Sequence, residues 1–244
     1  MEKDLYREMY ELETAHWWFR ARRSIVLALI GKYLDGPPPP RFLDIGCGTG
    51  AMLRELEKMG EAVGMDTSEE ALSFARTRTG ARLVLGSAPG RLREMEERFD
   101  CVLMLDVLEH IEDDLEALKA ASGLLKEGGI LLATVPAYQW LYAPRDRYHH
   151  HLRRYTRRGL REAMAGAGLK IELVSYYNFF LFPAAAVSRL LSRVRGGGYG
   201  PDLRLPPPAL NKTLEVLLSS ERFLLPRFSL PCGLSVISLG RRAA

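Results

Sequence analysis

The sequence predicts an α/β fold: a mostly parallel sheet with helices on both faces. Three observations carry the prediction. Short apolar runs of strand length alternate with helical patterns from Arg41 to Val135, and strands alternating with helices build a parallel sheet through crossover helices. A turn with three glycines, Gly46-Cys47-Gly48-Thr49-Gly50, follows the first strand. An acid, Asp66, closes the second strand twenty residues after Gly46.

The elements follow in order. Residues 1–40 read as a helical lid, with Ile25, Leu29 and Tyr33 at near-helical spacing between Ser24 and Leu34. Pro37 to Pro40 ends that helix and stiffens the link to the core. Strands are expected at Arg41–Ile45, Ala62–Asp66, Arg82–Gly86, Asp100–Leu105 and Gly129–Val135. Helices are expected at Thr49–Met59, at Ser68–Thr77 with Ser68 as cap, and at Asp113–Leu125. Thr156 starts a further helix that Gly168 ends after Ala167. Strands at Lys170–Tyr176 and Leu234–Leu239 close the core. More than fifty residues separate those two strands. A connector that long is unusual inside a compact domain, so residues 178–230 are expected to be a helical insertion over one end of the sheet. The core then spans 41–177, and its final strand falls in 231–244.

Composition narrows the function classes. The chain has 244 residues, 47% of them hydrophobic, and a net charge of +4. That length suits one large α/β domain with an elaboration, and the mild charge excess gives no reason to expect a nucleic-acid partner. Cys47, Cys101 and Cys232 lie far apart without metal spacing, which fits a reducing compartment. The N-terminus, MEKDLYREMYELE, is charged and lacks an apolar signal core. A cytoplasmic protein is the expectation.

The glycine turn states the ligand chemistry. Glycines let the backbone approach a ligand, and the following helix offers unpaired N–H groups at the strand ends where open parallel sheets bind nucleotides. A dinucleotide fingerprint is G-x-G-x-x-G; here the spacing is G-x-G-x-G, with Asp44 two residues before the first glycine. A fixed carboxylate there opposes a pyrophosphate and suits a cationic ligand. Asp66 is placed to accept both hydroxyls of a ribose. A nucleoside without phosphate that carries positive charge is S-adenosylmethionine.

With LDIGCGTG, VGMDTS at Val63–Ser68, FDCVLMLDVLEHIEDD at Phe99–Asp114 and LLKEGGILLATVP at Leu124–Pro136, the chain resembles class I S-adenosylmethionine-dependent methyltransferases of the bacterial small-molecule type. The resemblance implies a Rossmann-like, seven-stranded sheet with its last strand antiparallel. It implies that Gly46, Cys47, Gly48, Thr49 and Gly50 face the methionine part, with Asp44 supporting the ammonium group through the loop. Asp66 would hold the ribose, with Thr67 and Ser68 beside the adenine. Ser87, followed by Ala88, stands where many members carry an acid for the adenine amino group. Leu105 and Asp106 would border the sulfonium.

Three further stretches bear on the acceptor. Asp106, Glu109 and His110 share one face of a helical turn and resemble the acid-x-x-Glu-His arrangement that binds metal in ubiquinone-pathway O-methyltransferases. The same string also occurs in methyltransferases without a metal, and the sequence assigns none. Ala143–Arg161 holds seven arginines, one acid (Asp146) and the run His149, His150, His151. It follows the fifth strand and so emerges at the ligand end of the sheet, offering arginines for an anionic acceptor and His149 or His150 as a general base for a hydroxyl. His16–Arg23 resembles lid segments of a bacterial subgroup, with Arg22 chosen to pair with the methionine carboxylate.

The expected function is methyl transfer to a small-molecule acceptor, anionic or lipid-linked, with O-methylation favoured. FFLFPAAAVSRLLSRVR, apolar and then basic, is expected by default to pack against protein, as a dimer contact or a cap on the core, with peripheral membrane contact through 178–195 as the alternative. A nicotinamide-dependent oxidoreductase and a non-catalytic nucleoside-binding protein are the alternative classes. The oligomeric state is left open.

Overall fold

The computed structural model describes residues 3–34, 39–187 and 205–243. Two helices open the chain, α1 (Lys3–Ala15) and α2 (Trp17–Tyr33). The core then alternates β1 (Arg41–Ile45), α3 (Ala51–Glu57), β2 (Glu61–Asp66), α4 (Glu69–Arg78), β3 (Arg82–Leu85), α5 (Gly90–Arg93), β4 (Phe99–Leu105), α6 (Asp114–Gly123) and β5 (Leu125–Pro136). It ends with α7 (Pro144–Tyr148), α8 (Arg157–Gly166), β6 (Leu169–Tyr177) and β7 (Ser235–Arg242). The seven strands run in the order β3-β2-β1-β4-β5-β7-β6. β1 pairs in parallel with β2 and β4, and β7 is antiparallel to both β5 and β6. The expected sheet, with its last strand reversed, is the observed one.

Side chains alternate between faces along each strand, and the core divides accordingly. Leu43, Val102 and Met104 join Leu118 of α6 and Leu160 and Met164 of α8. Phe42, Cys101 and Leu103 join Ile25 and Leu29 of α2 and Leu53 of α3 on the other face. Each fully buried Leu or Ile of this kind contributes about 1.5–3 kcal/mol. The caps are those read from the sequence: Ser68 accepts from Ala71 N at 3.2 Å and Thr156 from Gly159 N at 3.0 Å.

The differences have local causes. The N-terminal helical segment is two helices, because His16 Nδ1 accepts from Trp18 N at 3.3 Å and caps α2. The helix expected to reach Leu125 stops at Gly123, because Phe99 N at the start of β4 donates to Leu124 O at 2.9 Å and draws that segment into β5. The insertion was expected over one end of the sheet. Its described helix Pro208–Ser219 lies instead beside α2, with Leu218 and Leu225 in the core of that face. Buried Glu221 then receives Asn178 N and Phe179 N, each at 2.7 Å, and ties the two ends of the insertion together. Residues 188–204 lie outside the described residues.

Candidate functional site

The carboxyl ends of β1, β2 and β4 open onto one crevice. Gly46 N and Cys47 N both donate to Met65 O, at 2.7 and 3.0 Å, so the turn folds back over the end of β2. Gly46 has φ +73°, and a Cβ there would stand 2.4 Å from Val107 Cγ2. Gly50 has φ +85° and begins α3. Only glycine meets both demands. An added Cβ would strike Val107 at Gly46 and Ala75, 3.1 Å away, at Gly50, so the bare turn packs closely against its own fold, and only Gly48 looks out, toward Met9 Cε at 3.4 Å.

Asp66 faces this turn. Its Oδ2 accepts from Gly48 N and its Oδ1 from Ser68 N, both at 2.9 Å. Each carboxylate oxygen can accept again, so two acceptors remain for a vicinal diol. Burial raises its pKa, against the backbone N–H bonds. Thr67 and Ser87 are exposed beside the crevice, and Ala88 is half-buried. Asp44 is nearly sealed, at 2% exposure. Burial pushes it up to about 7, while the Arg22 charge opposes that rise. Burial also raises the Cys47 thiol far above its ordinary value, which makes it an inert wall.

At the end of β4, Leu105 is 7% exposed and Asp106 adopts φ +58°. A non-glycine residue in that region is strained, and such strain gathers at functional sites. Asp106 N donates to Thr134 O at 2.9 Å and its Oδ1 accepts from Thr134 Oγ1 at 3.2 Å. Its other oxygen pairs with Arg22, which lies over the Trp18 ring at 4.5 Å. Arg22, expected to meet a ligand carboxylate, is engaged by Asp106. Asp106, grouped from sequence with Glu109 and His110, is paired with Arg22 and Thr134, while its charge still acts on both of them.

Among the three adjacent histidines, of which His149 and His150 are the expected bases, the fold gives a fixed carboxylate partner to His151. His150 is exposed with φ +59°, and His149 is half-buried with its ring 5.9 Å from that of His151. His151 is the one aimed by the fold: its Nδ1 lies 3.0 Å from Asp146 Oδ1. Asp146 is 1% exposed and also accepts from Arg154 Nε at 2.8 Å and from Ala143 N at 2.8 Å. Burial would raise this carboxyl, yet the bonds from His151, Arg154 and Ala143 hold it far below the usual carboxylate range. A fixed anion on Nδ1 leaves Nε2 as the basic nitrogen. The His110 ring lies 4.8 Å from that of His151, edge to face, and its pKa is lowered by burial and by His151.

Glu109 is fully buried, and neither carboxylate oxygen has a hydrogen-bond partner. Burial and then Asp106 raise its pKa well above the ordinary range. Ligand atoms of Glu109, His110 and His151 lie within 4.8 Å of one another. This trio, with His151 in place of Asp106, is the arrangement the sequence reading missed.

Two more polar groups reach the glycine turn from residues the sequence left unassigned. Thr49 Oγ1 donates to the Glu13 carboxylate, which also pairs with Arg78. Glu13 and Arg78 lie 36 and 29 residues from Thr49, so no local pattern signals them.

Residues 15–174 match a family model described as a methyltransferase domain. The chain is 36% identical over 149 residues to the ubiquinone biosynthesis O-methyltransferase of Dinoroseobacter shibae, a match covering 51% of this chain and 60% of that one. It is 37% identical over 99 residues to the same-named enzyme of Ruegeria pomeroyi, covering 38% and 40%. The chain thus spans about half the length of the curated relatives it matches. Among solved structures, a Haloferax volcanii methyltransferase in complex with the Trm112 activator aligns with a TM-score of 0.60 at 18% identity, over 98% of this chain and 94% of that one. The N-methyltransferase NodS from Bradyrhizobium japonicum, with S-adenosylhomocysteine bound, aligns at 0.56 and 13%, over 93% and 88%. These two likenesses are of fold.

Proposed function

The chain belongs to the methyltransferase-domain family, and from that premise we propose that it transfers a methyl group from S-adenosylmethionine to a hydroxyl oxygen of a small acceptor, with His151 as general base. One observation carries the reading: a glycine cradle and ribose-competent Asp66 lie at the strand ends, and a histidine oriented by a buried carboxylate lies on the acceptor side. When bound, S-adenosylmethionine supplies a methyl group on a positively charged sulfur. Asp66 receives the ribose hydroxyls. Gly48 would present bare backbone to the ligand, on the turn that Gly46 and Gly50 shape. Asp106 and Leu105 border the reacting centre, and α2 covers the mouth and excludes water. His151 Nε2 would take the acceptor's proton as the acceptor oxygen bonds to the methyl carbon and the methyl–sulfur bond breaks, its electron pair going to sulfur, and Asp146 would stabilise the imidazolium.

The names of the relatives support oxygen as the acceptor atom. The insertion supports a lipid-linked acceptor, since Phe180, Val187, Phe223 and Phe228 expose between 41% and 62% of their surface and suit an interfacial contact. No helix among the described residues is long and apolar enough to cross a membrane. Incubation with labelled S-adenosylmethionine and hydroxylated aromatic acceptors, free and lipid-tailed, tests the proposal. Label in an ether product is expected. Label only in amines or carboxylates refutes O-methylation.

One observation favours a second role for the same corner. A divalent cation held by Glu109, His110 and His151 Nε2 would satisfy the unpartnered Glu109 oxygens and polarise the acceptor oxygen, in place of His151 as base. Titration with Mn²⁺ alone, read by paramagnetic relaxation, tests this: wild type binds one ion and Glu109→Gln binds none.

A further inference from the structure

Helix α1 lies along the crevice, and each of its inward residues meets a part of it. Tyr6, half-buried, lies near enough to the ribose end for burial and then the Asp66 charge to raise its pKa. Met9 Cε stands 3.4 Å from where a Gly48 Cβ would be. The Tyr10 ring lies 5.2 Å from that of Phe74, tilted by 34°, beneath the Arg78 guanidinium at 4.0 Å. Glu13, 5% exposed, reaches the far end. Its carboxylate takes the Thr49 hydroxyl and the buried Arg78 guanidinium, lies beside Gly48, and is close enough to Asp44 to raise that group.

A buried carboxylate thus occupies the methionine end of the cradle, gripped by a guanidinium and a hydroxyl. We propose that this is a carboxylate seat, that Arg78 and Thr49 are its walls, and that Glu13 is an internal competitor which the α-carboxylate of S-adenosylmethionine displaces. The inference rests on the S-adenosylmethionine reading above and adds a gate to it. A second carboxylate brought to this buried guanidinium would stand beside Glu13 as a like charge. Cofactor binding then releases Glu13 from Arg78, and α1 moves with it.

The hinge is built for that movement. The helix breaks at His16. Asn211 of the insertion pins both sides of the break, donating to Ala15 O and accepting from Trp17 N, each at 2.9 Å. Helix α2 stays locked into the core through Ile25 and Leu29. Helix α1 is held at the crevice by Tyr6, Met9, Tyr10 and the Glu13 latch.

Calorimetry with two ligands tests the latch: S-adenosylhomocysteine, which carries the carboxylate, and 5′-methylthioadenosine, which lacks the amino-acid part. Glu13→Gln removes the competing charge and is expected to tighten S-adenosylhomocysteine about tenfold, with 5′-methylthioadenosine changed less than about twofold. Arg78→Gln is expected to weaken S-adenosylhomocysteine about 10–100-fold and again spare the truncated ligand. In the double variant the gain from Glu13→Gln disappears, because the seat no longer exists. Weaker S-adenosylhomocysteine binding by Glu13→Gln, or equal changes for both ligands, overturns the latch and leaves the methyltransferase reading standing. Failure of both ligands to bind folded wild-type protein overturns the cofactor reading and the latch together.

Discussion

Replacing His151 with Ala separates the fold's choice of base from the two neighbouring histidines. His151 gives up one hydrogen bond to Asp146, which keeps Arg154 Nε and Ala143 N at 2.8 Å each. Its side chain is 17% exposed, so the stability cost is about 1 kcal/mol. Loss of a general base lowers kcat by about 10²–10⁴. Cofactor affinity is unchanged, since the glycine turn and Asp66 do not touch His151. Asp146→Asn lowers kcat similarly through the ring's orientation, but it also strips the buried Arg154 of its counter-charge, costing about 3–5 kcal/mol. Steady-state kinetics on the identified acceptor, with thermal melts of each variant, read both effects. Exposed His150→Ala stays close to wild type. Near-normal turnover in His151→Ala, with loss in His149→Ala or His150→Ala, refutes the assignment.

Asp66→Asn replaces a double acceptor with a group whose amide faces backbone donors; S-adenosylhomocysteine affinity by calorimetry is expected to fall about 10–100-fold. Gly46→Ala meets Val107 Cγ2 at 2.4 Å in a left-handed turn, so a denaturant melt is expected to show a loss of about 2–4 kcal/mol, combining backbone and overpacking costs. Asp44, pushed up to about 7, holds a proton in the folded chain that the unfolded chain releases near pH 4. Its stabilising share is therefore full below about pH 4 and lost as pH rises to about 7, on the order of 1 kcal/mol per pH unit. In Asp44→Asn that decline is absent, so melts of the two proteins that run parallel from pH 4 to 7 would count against it.

What the sequence determined by itself was local in origin. Strand and helix periods are written within each element, and the sheet they imply is the one observed, reversed last strand included. The glycine turn was legible because only glycine satisfies φ +73° and +85° there, and Asp66 because it ends the strand beside that turn. The caps at Ser68 and Thr156 were legible for the same reason: donor and acceptor lie three residues apart. The tertiary structure alone decided which charge meets which. Arg22 pairs with Asp106 across 84 residues and Arg78 with Glu13 across 65. Three adjacent histidines are equivalent on paper; His151 is singled out because chain folding buries Asp146 and Arg154 against it. A buried ion needs its partner in space, and that partner is set by how helices dock on the sheet, which neighbours in sequence do not record.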